Sequence, residues 1–131
     1  MTISRLPEYL EQMRQAAADA LQFVDGMSKL EFLADKRTQQ AVIMSLVILG
    51  EVSTKVMDRF PEFTGRHESV PWRNMRGMRN RIAHGYFDIN LEVVWDTVQS
   101  ALPDLLVQLN GIDQESQRID RTRSAGDPSV E

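Results

Sequence analysis

The chain has 131 residues, 42% of them hydrophobic and 26% charged, which is enough for one domain with its own core and ordinary for a globular protein. It contains no cysteine, which excludes disulfide staples, thiolate metal sites and a cysteine nucleophile, and fits a reducing compartment. A formal net charge of −4, with an isoelectric point near 5.2, argues against a general nucleic-acid coat, whose affinity comes from basic side chains neutralising phosphates.

Met1-Thr2-Ile3-Ser4-Arg5 leads into a charged amphipathic segment with neither a signal peptide nor a transmembrane span, and the chain is read as cytoplasmic. From Leu6 to Val24 the apolar residues Leu6, Tyr9, Leu10, Met13, Ala16, Ala17, Ala20, Leu21 and Val24 recur at spacings of three and four, the stripe of an amphipathic helix. Ser4 is placed to cap it, and Pro7 fits its first turn. Asp25-Gly26 supplies a stop. Ser28 and Glu31 then form a capping box for a short helix carrying Leu30, Phe32 and Leu33. Asp35 caps a long helix expected to reach about Arg59.

The centre of that helix, Ala41-Val42-Ile43-Met44-Ser45-Leu46-Val47-Ile48-Leu49-Gly50, is apolar nearly all round and must be covered on more than one side. At ten residues this run is too short to span a bilayer. A small bundle has few places to bury such a helix completely. Part of it is therefore expected to pack against a second copy of the chain; the alternative is cover by the other helices of the same chain. Glu51, next to the apolar run, either escapes to solvent, the reading its charge favours, or faces a polar partner. If it points inward, the arginines at positions 79 and 81 are its natural counter-charges.

Phe60-Pro61 ends the long helix, and Glu62 to Val70 reads as a polar loop containing Gly65 and a surface His67. Pro71 fits the first turn of the next helix, which carries Trp72, Met75, Met78 and Ile82 inward and ends near His84, with Gly85 as the residue after the C-cap. Asn90 caps the last helix, where Leu91, Val94, Trp95, Val98, Leu102, Leu105, Leu106 and Leu109 keep the helical period. A kink is expected at Pro103, around the lost bond to the Gln99 carbonyl, and a stop at Asn110-Gly111. Trp72 and Trp95 are read as core residues rather than base-stacking platforms. With no internal repeat and no alternating run long enough for a strand, the class is all-α, a bundle of four to five helices over 1–111. The polar segment 112–131 is read as a tail that is mobile or pairs with a partner.

The segment that points to chemistry is Arg79-Asn80-Arg81-Ile82-Ala83-His84-Gly85-Tyr86. It combines a permanent positive charge, an imidazole whose ordinary pKa of about 6.5 leaves both protonation forms available near neutrality, and a phenol. Arg73, Arg76, Arg79 and Arg81 precede His84 with no acidic residue among them, a local patch that attracts phosphate although the whole chain is acidic. Such residues also serve as solvated charges and helix caps. A ribonuclease needs no metal if the ribose 2′-hydroxyl attacks the adjacent phosphate while a general base takes its proton and an acid protonates the leaving oxygen, and histidine suits both roles. Arginine would stabilise the charge that builds on the phosphorane-like oxygens, and Asn80 would orient imidazole or phosphate. No His/Asp/Glu set has metal-ligand spacing, so neither a metal nor a cofactor is assigned. On an ideal helix Arg79 and His84 lie about 140° apart at roughly 100° per residue. Their convergence requires the arginine stem to curl round, a frayed last turn, or a two-fold axis that brings a second protomer's pair alongside.

On these residues the chain resembles the HepT-like toxin family of the HEPN superfamily, whose signature is Arg, four residues, His, one residue, Tyr. Arg79, His84 and Tyr86 match it, and Asn80 matches the polar residue that follows the arginine. Further matches are Glu31-Phe32-Leu33, Gly50-Glu51, Pro71-Trp72, Met78-Arg79-Asn80, His84-Gly85-Tyr86-Phe87 and Val94-Trp95 leading to Leu102-Pro103, over roughly residues 4–110. The resemblance implies a homodimeric all-α bundle acting as a metal-independent endoribonuclease, the toxin of a type VII-like toxin–antitoxin system. It implies Arg79 and His84 as the catalytic pair, beside which Asn80, Arg76 and Glu51 are read as supporting residues. It also implies a nucleotidyltransferase-fold (MntA-like) antitoxin that silences the toxin by transferring AMP to Tyr86. The alternative from a different class is a non-catalytic helical dimer that binds a nucleotidyltransferase partner or a nucleotide through the same basic patch.

Overall fold

A computed structural model of the chain describes residues 4–112. The first helix, α1 (Leu6–Phe23), buries Leu6, Tyr9, Leu10, Met13, Ala16, Ala17 and Ala20 along one stripe. Its cap differs slightly from the expected one. Arg5 occupies the N-cap position, while the Ser4 hydroxyl accepts the Leu6 N–H at 3.1 Å. Gly26, at φ 77°, turns the chain in a conformation that suits glycine.

Helix α2 (Lys29–Leu33) starts with the complete capping box: the Ser28 hydroxyl accepts the Glu31 N–H at 3.1 Å, and the Glu31 carboxylate accepts the Ser28 N–H at 2.9 Å. Phe32 is fully buried and meets Trp95 at 5.4 Å between ring centroids, whereas Leu30 stays exposed. Asp35 caps α3 (Lys36–Arg59) by accepting the Thr38 N–H at 3.2 Å.

Helix α3 is the spine of the fold, packed along α1 on one side and α5 on the other. By length and composition it is also apolar enough to cross a membrane, but half of its most apolar window is buried inside the fold, as in a core helix. The remainder is not covered. Met44 and Ile48 are 58% and 40% exposed, and Val47 is half-buried.

Residues 61–66 depart from the expected loop and form a further helix, α4 (Pro61–Arg66). Proline in its first turn gives up no hydrogen bond, and Phe63 anchors it in the core. His67 is half-buried rather than on the open surface, with its ring 4.5 Å from that of Phe63. Its carbonyl accepts the Trp72 indole N–H at 3.0 Å.

Helix α5 (Trp72–His84) follows, with Pro71 at the N-cap rather than inside the first turn. The fully buried Ser53 hydroxyl donates to the Trp72 carbonyl at 2.8 Å, pinning the start of α5 to α3. Gly85 does not take the left-handed conformation expected after a C-cap. Its φ is −149°, its N–H still bonds Arg81 O, and the chain enters a 3₁₀ turn at Tyr86–Asp88.

Asn90 caps α6 (Leu91–Asp96) by accepting the Glu92 and Val93 N–H groups. The kink expected at Pro103 takes the form of a π turn at Thr97–Ala101, where the Leu102 N–H reaches back five residues to Thr97 O. This shift of register falls where proline lacks a donor. The helix then continues over 102–112 without the stop expected at Asn110-Gly111, and Ile112 is buried. Among the described residues there is no strand. The tail expected at 112–131 lies, apart from Ile112, outside the described residues.

Candidate functional site

The site begins where α3 and α5 cross. A Cβ on Gly50 would lie 2.3 Å from the Arg79 Cβ and 2.6 Å from the Met75 carbonyl oxygen. Only a residue without a side chain lets the two backbones approach so closely. Glu51 and Thr54, on the next turn of α3, then reach the Arg79 guanidinium.

Arg79 Nη1 lies 2.9 Å from Glu51 Oε1, and Nη2 donates to Thr54 Oγ1 at 3.4 Å. The threonine hydroxyl itself donates to Gly50 O at 2.9 Å, which aims its lone pairs at the arginine. Arg79 Nε is buried without a hydrogen-bond partner. An unsatisfied buried donor costs about 1–3 kcal/mol, and such costs collect at functional sites. Glu51 combines its two expected states. It pairs with Arg79 while its side chain stays 50% exposed. Exposed pairs of this kind contribute about 0–1 kcal/mol to stability, so the pair fixes the arginine's position more than it holds the fold.

His84 closes α5 and is exposed. It lines a groove of about 480 Å³ together with Arg81, Ile82, Asp88, Asn90 and Val93. Asn80, one turn earlier on the same face of α5, is also exposed. Tyr86 stands in the following 3₁₀ turn, 41% exposed, with its ring edge-on to Phe87 at 5.5 Å; Phe87 is 97% exposed. Arg76 is half-buried in a different groove, between α4 and α5. Among the described residues no three His, Cys, Asp or Glu side chains gather to hold a metal ion.

The structure brings Glu51 to Arg79 but sends Arg79 and His84 to different surroundings. Arg79 faces α3, while His84 opens onto the groove with Arg81. Of the three routes to convergence, the frayed last turn is absent, because α5 is helical through His84 and the Gly85 N–H bonds Arg81 O at 3.1 Å. The arginine stem is held at Glu51 and Thr54 rather than curled toward the histidine.

Sequence reasoning missed Thr54 as a partner of Arg79 and Gly50 as the contact point of two helices. The signal for both was a glycine inside an apolar helix followed four residues later by a hydroxyl on the same face. Asp88 and Asn90, on the wall of the His84 groove, come from the 3₁₀ turn and the α6 cap and carried no spacing signal.

The chain has recognisable relatives. The family described as Ribonuclease HepT-like matches residues 13–112. The protein named "Putative RNase MJ0127" of Methanocaldococcus jannaschii is 36% identical over 107 residues, covering 82% of this chain and 83% of that protein. The "Probable ribonuclease HepT" of Thermococcus cleftensis is 37% identical over 98 residues, covering 75% of this chain and 86% of that protein. The "Putative RNase TTE0752" of Caldanaerobacter subterraneus subsp. tengcongensis is 34% identical over 107 residues, covering 82% and 93% respectively. No solved structure matches the chain significantly.

Proposed function

The chain belongs to the Ribonuclease HepT-like family, and from that premise we propose that it is a metal-independent endoribonuclease whose active site is completed by two protomers. The observation that carries the composite site is the divergence of Arg79 and His84 on one unbroken helix. A second copy supplies what one copy holds apart, and the exposed Met44 and Ile48 on α3 give it an apolar surface to bury. At each composite site the His84 of one protomer, neutral, takes the proton of the ribose 2′-hydroxyl as that oxygen attacks the adjacent phosphorus. The imidazolium so formed gives that proton, directly or through a water, to the departing 5′ oxygen. The products are a 2′,3′-cyclic phosphate and a free 5′-hydroxyl. Arg79, anchored by Glu51 and Thr54, meets the charge on the non-bridging oxygens, and Asn80 orients the phosphate or the imidazole. This arrangement favours catalysis over the docking-only alternative, because a buried donor on an anchored arginine serves a fixed charge better than a passive contact.

The proposal extends to a toxin restrained by a nucleotidyltransferase-fold antitoxin that transfers AMP to Tyr86. The exposure of that phenol, two residues beyond His84, supports the role: an anionic adduct there would obstruct the phosphate path and compete for the arginines. The test is incubation of wild-type and His84→Ala protein with RNA in EDTA. Fragments ending in 2′,3′-cyclic phosphate from the wild type alone are expected. Intact RNA with a dimeric, AMP-free wild-type protein would overturn the proposal.

A further inference from the structure

The groove between α4 and the beginning of α5 plays no part in the chemistry above. It has a volume of about 660 Å³ and is lined by Asp58, Glu68, Trp72, Arg73, Asn74 and Arg76 among others. Arg73 is exposed and Arg76 half-buried, and neither forms an ion pair among the described residues. The direction of α5 relates this groove to His84. At roughly 100° per residue, Asn80 and His84 each project within about 20° of Arg73, and Arg76 about 60° to one side. Arg73, Asn80 and His84 therefore form one exposed stripe, with no acidic residue on α5 along its length. Eleven residues at 1.5 Å each make it about 16 Å long, the span of roughly five stacked nucleotides at 3.4 Å per step.

We propose that this stripe is a track for single-stranded RNA and that the groove is its far subsite, holding the phosphate and ribose of a nucleotide some three to five positions from the bond cut at His84. The inference rests on the ribonuclease reading and adds a binding site to it. Arg73 and Arg76, both from the α5 side of the groove, take the phosphate oxygens through their forked donors. Asp58, from α3, and Glu68, from the segment before α5, repel phosphate but accept from ribose 2′-hydroxyls. Together these charges orient the strand with its phosphates toward α5. Trp72 is 5% exposed and its indole N–H is already bonded, so the groove offers no stacking surface and binding there is indifferent to base identity.

The experiment uses the cleavage-dead His84→Ala protein and a fluorescein-labelled octauridylate, with anisotropy read over a salt series. Each phosphate contact on a single strand adds about 0.7 to the slope of log K against log salt. Adding Arg73→Gln is expected to lower the slope by about that amount and to weaken binding several-fold at low salt. Arg76→Gln is expected to give a similar decrement, and Arg73→Lys to keep the slope. Affinity and slope unchanged in both glutamine variants would overturn the subsite alone. No binding by the His84→Ala parent would overturn the subsite together with the RNA reading.

Discussion

Replacing Gly50 by alanine tests the α3–α5 crossing and the arginine it positions. The added Cβ would stand 2.3 Å from the Arg79 Cβ, whereas carbon atoms settle at about 3.5–4.0 Å. Helix α5 must therefore withdraw by about 1 Å or more. Overpacking of this kind costs about 1–3 kcal/mol, but alanine regains about 1 kcal/mol over glycine in a helix interior. The net loss is about 0–2 kcal/mol, a fall in Tm of no more than about 8 °C for a chain of this size. Activity is more sensitive, because a displacement of about 1 Å in a positioned catalytic group costs on the order of 100-fold. Gly111→Ala is the control: it lies in a helix, and an added Cβ meets nothing within 4 Å, so its stability should rise slightly. Thermal unfolding by circular dichroism and RNA cleavage rates would be measured on both variants. A Gly50→Ala protein with wild-type activity, or with the same small gain in Tm as the control, would refute the close crossing and the role assigned to it.

Glu51→Gln should leave Tm within a few degrees, since a half-exposed pair contributes under about 1 kcal/mol, yet lower cleavage by about tenfold or more as Arg79 loses its anchor; parallel melts and kinetics would separate the two effects. Met44→Glu combined with Ile48→Glu should give a helical monomer without ribonuclease activity, and an unchanged sedimentation coefficient would count against α3 as the dimer face. The Glu31 carboxyl is held below the usual carboxylate range by the Ser28 backbone N–H and then by the Ser28 hydroxyl. A depressed folded-state pKa gives stability that is fully present above the unfolded value of about 4.3 and is lost as pH falls through the folded one. The advantage of wild type over Glu31→Gln should therefore hold at neutral pH and shrink below about pH 4, as chemical denaturation across that range would reveal. Tyr86→Phe should still cleave RNA and should gain no AMP in intact-mass measurements after incubation with the nucleotidyltransferase and ATP.

The parts of the fold that were legible in the sequence are those set by local bonds. Ser28, Glu31, Asp35 and Asn90 cap helices through partners two or three residues away, and the stripe from Leu6 to Val24 states its period outright. Helix α4 was hidden because six residues with one buried anchor, Phe63, show no period. The stop at Asn110-Gly111 failed because residues 102–112 are held by burial of Leu105, Leu109 and Ile112, which outweighs a weak local breaker. In the site, the divergence of Arg79 and His84 followed from their spacing alone. The partnership of Arg79 with Glu51 and Thr54 did not, because it depends on two helices meeting at Gly50, some thirty positions away in the chain. The charge of Glu51 assigns it to solvent, where half of its side chain does lie, and its tie to Arg79 was hidden for the same reason.

The composite site is tested most directly by mixing two inactive proteins. Arg79→Ala and His84→Ala chains, carrying different affinity tags, would be co-folded and the mixed dimers isolated through both tags. If each site draws its arginine from one protomer and its histidine from the other, the mixed dimer retains one intact pair and should recover about half of the wild-type cleavage rate. Mixed dimers no more active than either parent would contradict the shared site and return Arg79 and His84 to a single protomer.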